Sequence, residues 1–288
     1  MLDHATEQSA WYALLDFHVE AGVDCALDEQ PQDRFSLDLI DSQNSPPIRS
    51  GGMPIPNRIV PALESRQAEA PRAVMSGAAI APEEVAIAAR EQAKNATSLA
   101  ELERLLGVFE GCALSTSAKN LVFADGAPTA RIMFVGEAPG AEEDRIGKPF
   151  VGRSGQLLDR MLAAIGFDRS SVYIANIVPW RPPGNRTPTP QEVAICKPFI
   201  ERQIELVDPD ILICLGGPST QNLLNVREGI LRTRGRWFSY NLPGRTIRAL
   251  ATLHPAYLLR QPLQKRLAWR DFQALKQAHD EEAARRGS

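Results

Sequence analysis

The chain has 288 residues, of which 44% are hydrophobic and 23% charged, with a formal net charge of −3 at pH 7. These are the fractions of a soluble globular protein able to bury a full core. No apolar run approaches the ~20 residues needed to span a bilayer, and no basic segment followed by an apolar stretch opens the chain, so a cytoplasmic protein without membrane attachment is expected.

The net charge hides an asymmetry: residues 1–50 hold ten acidic residues against two basic ones, whereas 227–270 hold ten basic residues against Glu228 alone. A cationic surface of that kind attracts phosphates, although solvated arginines are also ordinary on a protein of this size. The cysteines Cys25, Cys112, Cys196 and Cys214 are scattered without a CxxC pair, which points to reduced thiols.

In chain order, Trp11, Leu14, Leu15 and Val19 fall near helical spacing and predict a short helix within residues 1–27, ending at Gly22. Residues 28–78 are rich in Pro, Ser, Gln and Gly and predict a flexible linker. A folded domain is expected over 79–288. It begins with a helix from Pro82 to about Lys94, with Glu83 and Glu84 in its first turn, and a second after Thr97-Ser98 carrying Leu99, Leu102, Leu105 and Leu106. Beyond them strands and helices alternate: strands from Ile132, over 172–178, over 210–215 and over 247–253; helices over 154–165, 190–207, 217–224 and 265–284. This pattern implies an α/β fold with a parallel sheet covered by helices on both faces, and a common cleft at the carboxyl ends of the strands.

The most informative stretch is Arg131 to Gly155, a buried strand that breaks at Gly136 into a loop rich in acidic residues and glycine. The ends of the predicted strands carry Glu137; Asn176, followed by Arg181-Pro182-Pro183-Gly184-Asn185-Arg186; Gly216-Gly217-Pro218-Ser219; and His254-Pro255-Ala256. A carboxylate can orient water or face a cation, an amide can read the polar edge of a base, and a histidine can stabilise developing negative charge. Taken singly, each has an ordinary structural use as a solvated carboxylate, a turn cap or a packing residue.

Together, Gly136-Glu137-Ala138-Pro139-Gly140, Lys148-Pro149-Phe150-Val151-Gly152, Arg181 to Pro188 and His254-Pro255-Ala256 resemble, in order and spacing, the family-4 uracil-DNA glycosylases over roughly residues 109–275. The resemblance implies a three-layer α/β/α fold with a central four-stranded parallel sheet, and hydrolysis of the N-glycosidic bond of uracil flipped out of DNA, initiating base excision repair. It also implies roles: Glu137 for the catalytic water and sugar cation, His254 near uracil O2, Phe150 stacking on the base, Asn176 reading its edge, and Gly136, Ala138 and Glu143 around the ring, the last near C5. Where a wider relative carries an aspartate after the glutamate, this chain has Ala138, which leaves the load on Glu137. Arg186, Ser219 and Arg260 are expected to meet DNA phosphate, and Tyr257, Leu258 and Leu259, in the segment Tyr257 to Gln264, to wedge into the vacated stack.

One departure bears on cofactors. The family binds a 4Fe-4S cluster through four cysteines, and the matching positions here read Phe109, Cys112, Trp180 and Cys196. With two ligands replaced, no cluster and no metal are expected, Cys112 and Cys196 remaining as a pair of free thiols beside apolar packing. Uracil-containing DNA is the expected partner and a monomer the expected state. The N-terminal helix is read either as a docking element for a partner protein or as packed on its own domain. Two further functional readings stay open: a glycosylase for another deaminated base, and a catalytically silent DNA-binding or interaction module on the same fold.

Overall fold

The computed structural model describes residues 82–287. The expected N-terminal helix, its docking role and the linker over 28–78 lie outside the described residues.

The described elements are α1 Pro82–Asn95, α2 Leu99–Gly107, α3 Leu114–Ser117, β1 Asp125–Gly126, β2 Ile132–Gly136, α4 Ala141–Ile146, α5 Arg153–Ala163, β3 Tyr173–Asn176, α6 Pro190–Val207, β4 Ile211–Leu215, α7 Gly217–Leu224, α8 Ile230–Thr233, β5 Trp237–Leu242, β6 Arg245–Thr252, α9 Pro255–Arg260 and α10 Lys265–Gly287, with 3-10 turns at Pro183–Asn185 and Pro262–Gln264. Local chemistry sets several of these ends. The Ser98 hydroxyl accepts from the Glu101 amide to start α2. Thr189 and Glu192 exchange side-chain and backbone bonds to start α6, with Pro190 in its first turn, where a missing N–H costs nothing.

The strands lie in the order β1-β3-β2-β4-β6-β5. The middle four, β3, β2, β4 and β6, are parallel, as the strand–helix alternation implies. The sheet is wider than four strands, however: β1 pairs antiparallel with β3, and β5 antiparallel with β6. Residues 237–242 escaped the sequence reading because they form an edge strand with partly exposed side chains, joined to β6 by a tight turn at Pro243-Gly244 rather than by a helix.

Side chains leave β2 and β4 alternately to two cores. Met133, Val135, Leu212 and Cys214 meet Ala89, Leu102, Phe199 and Ile204 from α1, α2 and α6. On the other face Ile132, Phe134, Ile211 and Ile213 meet Leu158 and Leu162 from α5 and Phe272 and Leu275 from α10. Three layers result, and both central strands read as unbroken apolar runs because each face is covered. The pairings Gly136 with Asn176 and Leu215 with Thr252 bring the carboxyl ends level, so the loops that follow share one cleft.

Candidate active site

The site is built around the end of β2. A Cβ on Gly136 would stand 2.4 Å from Asn176 Oδ1 and 2.7 Å from Phe150 Cζ, so only a residue without a side chain lets the amide and the ring close on the strand. Phe150 occupies the loop between α4 and α5 with φ at +54°, a left-handed conformation that disfavours side chains by ~1–2 kcal/mol. Close packing of α5 holds it there: a Cβ on Gly155 would lie 1.6 Å from the Phe150 carbonyl oxygen. The Phe150 ring sits 5.4 Å from the His254 ring, inclined by 32°. With Glu137, Asn176, Glu143 and Arg260 these residues line a cavity of about 440 Å³.

Two acceptors in that cavity have no hydrogen-bond partner: buried Asn176 Oδ1 and the buried Oε1 of Glu137. Leaving a buried polar atom unpaired costs ~1–3 kcal/mol, which a bound ligand can recover. Tyr173 and Gln203 carry similar atoms away from the cavity, so it is the convergence of these two acceptors with the ring and the imidazole that marks the site. Burial raises the Glu137 pKa above the ordinary carboxylate value. His254 follows β6 and starts α9, its Nδ1 accepting from the Ala256 amide at 3.1 Å, which leaves the ring proton on Nε2. Burial, with the nearby Arg260 charge adding to it, pushes His254 down to about 4, so the ring is neutral near pH 7. The cavity therefore presents an amide acceptor, a carboxylate, a neutral imidazole and an aromatic face.

Glu143, in the first turn of α4, spends its carboxylate on backbone. One oxygen accepts from the Gly140 amide at 3.1 Å, the other from Val151 at 3.0 Å and Gly152 at 2.9 Å. Gly136 and Ala138 flank Glu137 as the sequence implies, Ala138 on the cavity wall. Arg186 and Arg260 reach the cavity rim and are exposed, Arg186 as a forked pair with Glu192 at 2.9 and 2.6 Å.

Two expected DNA contacts need correction. Ser219 is fully buried and donates to the Val135 carbonyl at 2.6 Å, tying α7 to β2 and leaving nothing for a phosphate. Leu258 is also fully buried, packed with Leu157, Leu253 and Ala268, because residues after His254 form helix α9 rather than a loop and one face of that helix enters the core. Tyr257 and Leu259 are half-buried against the same cluster. Within the expected wedge segment Tyr257 to Gln264, Leu263 is 86% exposed in the turn just past Arg260.

The four positions that would face an iron–sulfur cluster do meet in space. Phe109 stacks on Trp180 with ring centroids 6.4 Å apart and meets Phe199 edge-on at 5.1 Å. Beside them Cys196 donates to Cys112 with the sulfurs 3.9 Å apart, which lowers the Cys112 pKa and raises that of Cys196. Two thiols and two packed rings do not fit a cubane cluster, which takes four thiolates. Among the described residues no group of three or more His, Cys, Asp or Glu side chains is placed to hold a metal ion.

Comparison with known proteins agrees with this geometry. The uracil DNA glycosylase superfamily matches residues 123–273. The type-4 uracil-DNA glycosylase of Saccharolobus solfataricus is 42% identical over 172 residues, covering 58% of this chain and 80% of that protein. The type-4 uracil-DNA glycosylases of Archaeoglobus fulgidus and Thermotoga maritima are 38% and 43% identical, covering 62% and 52% of this chain and 92% and 77% of their own lengths.

Proposed function

The chain belongs to the uracil DNA glycosylase superfamily, and we infer that it is a uracil-DNA glycosylase that hydrolyses the N-glycosidic bond of a flipped-out deoxyuridine. The observation that carries the site assignment is the pair of unpartnered acceptors, Asn176 Oδ1 and Glu137 Oε1, in one cavity with a neutral imidazole and a ring.

Extruding a stacked nucleotide costs a few kcal/mol, and stacking on Phe150 offsets ~1–3 kcal/mol of it. Asn176 Oδ1 accepts the uracil N3–H and its amide nitrogen donates to O4. Cytosine reverses both groups and would leave them unpaired, a mismatch of the kind that discriminates ~10⁴–10⁵-fold. The backbone that Glu143 ties down limits room at C5, against the methyl of thymine. As the C1′–N1 bond breaks, its electron pair moves into the base and charge gathers on O2, where His254 donates Nε2–H. Glu137 faces the sugar cation and takes a proton from the water that adds to C1′, leaving an abasic deoxyribose and a uracil anion; the anion gains a proton from solvent and Glu137 returns its own to solvent. We further propose that Leu263 fills the vacated stack, that Arg186 and Arg260 meet phosphate, and that the chain acts as a cytoplasmic monomer without an iron–sulfur cluster.

The test is a labelled oligonucleotide with a single uracil, scored for alkali-labile sites, with hypoxanthine and xanthine substrates run alongside. The wild type is expected to release uracil, and Glu137→Gln to lower the rate by on the order of 10²–10⁴. Uracil release unchanged in Glu137→Gln would remove that residue from the chemistry, and no release by the wild type would return the chain to the silent-module reading.

A further inference from the structure

The ring that stacks on the base rests on a backbone gripped from two sides. Glu143 holds the amides of Val151 and Gly152 from the cavity side. From outside the cavity, Arg169, in the turn before β3, donates through Nη2 to the Phe150 carbonyl and through Nη1 to the Pro149 carbonyl at 3.1 Å. The guanidinium is itself fixed, Nε on Asp159 Oδ1 at 2.7 Å and Nη1 on Asp125 Oδ2 at 2.8 Å, while Lys148 Nζ holds the other oxygen of Asp125 at 3.1 Å. A single planar fork thus joins β1, α5 and the loop that carries the ring. Lysine, with one compact charge, cannot span two carbonyls and two carboxylates at once.

We propose that Arg169 is a positioning residue for uracil recognition: it locks the left-handed Phe150 peptide and so keeps the ring in the gap between Gly136 and His254. This rests on the reading of Phe150 as the stacking surface. A residue that simply adds stability would affect every property of the protein together. A residue that aims the ring affects base binding and leaves the grip on DNA backbone alone. Without the fork the Phe150 and Pro149 carbonyls each lose a donor, the Phe150 peptide relaxes toward an extended conformation, and the ring swings away from the base.

The experiment uses the full chain as wild type, Arg169→Ala, Arg169→Lys and Asp159→Asn. Free uracil binding is measured by calorimetry, abasic-DNA affinity by anisotropy, kcat and KM on a uracil oligonucleotide, and the thermal midpoint alongside. Arg169→Ala is expected to weaken uracil binding and raise KM about tenfold with kcat within about threefold, the signature of lost binding shared by ground and transition states. Abasic-DNA affinity should hold, added guanidinium should restore part of the uracil binding, and Arg169→Lys should fall between. Asp159→Asn, which removes one anchor of the guanidinium, should weaken uracil binding less than Arg169→Ala does; if Arg169→Ala does not fold, Arg169→Lys and Asp159→Asn decide by whether uracil binding falls while abasic-DNA affinity holds. Uracil binding that is unchanged in the Arg169 variants, or that falls in step with abasic-DNA affinity and the thermal midpoint, overturns the proposal. A wild type that binds uracil without excising it counts against the glycosylase reading and leaves the Arg169 comparison still decisive.

Discussion

Replacing Gly136 by alanine isolates the packing on which base recognition depends. Gly136 lies in regular β2 and has no positive φ, so the backbone accepts alanine without strain and the entire effect comes from one methyl group. That methyl would meet Asn176 Oδ1 at 2.4 Å and Phe150 Cζ and Cε2 at 2.7 and 2.9 Å. Comfortable carbon contacts begin near ~3.5 Å, so the ring must retreat by roughly 0.6–0.8 Å and the amide must turn away. Overpacking of this kind costs ~1–3 kcal/mol of stability, measurable as a lower urea midpoint at unchanged slope. The catalytic cost is larger than a displaced ring alone would bring, because the methyl also turns away the Asn176 amide that fixes the base, and a misplacement of ~1 Å in a bound group can lower a rate about 10²-fold. Single-turnover excision with enzyme in excess, set against affinity for abasic DNA, separates the two. Excision is expected to fall ~10²-fold with abasic-DNA binding within twofold. A folded Gly136→Ala protein that excises uracil within threefold of the wild type would refute the claim that the contact of Gly136 with Asn176 and Phe150 sets the site.

The pH profile follows from two opposite shifts. Glu137 acts as a carboxylate and its pKa is raised by burial, so activity is full above that value and falls as pH drops through it, with the acid limb above the usual ~4.3 of a glutamate. His254, pushed down to about 4 by burial, is neutral near pH 7, so His254→Asn should lower the rate measured at that pH by removing the Nε2–H donor. Because a raised folded pKa means that the charged form of Glu137 destabilises the fold at neutral pH, Glu137→Gln should melt higher than the wild type at pH 7 and lose that advantage in acid. Leu263→Ala should slow excision from duplex DNA more than from single strands, since only the duplex leaves a stack to fill; equal slowing would argue against the wedge. Anaerobically purified protein should carry neither iron nor labile sulfide, and broad absorption near ~400 nm would reverse the assignment of the Phe109 and Trp180 positions.

The alternation of apolar runs with amphipathic segments was enough to anticipate the parallel core of the sheet, because burial on both faces of β2 and β4 leaves an unmistakable composition, and capping residues such as Ser98 and Thr189 mark helix starts with purely local chemistry. Glu137, Asn176 and His254 were likewise legible as candidates at or just past predicted strand ends, and Phe150 through the family resemblance of its segment. What no linear reading supplied was the consequence of packing. Ser219 and Leu258 carry the right chemistry for DNA but point inward, because α7 and α9 each turn one face to the core, whereas Leu263 stays outside because a turn after Pro262 removes it from that face. Arg169 is an ordinary arginine in a polar turn until the fold brings it to the Pro149 and Phe150 carbonyls. Composition and periodicity report how each segment meets solvent, so they determined the layers; which side chains face the base depends on distances between segments remote in the chain, and those exist only once the layers have packed.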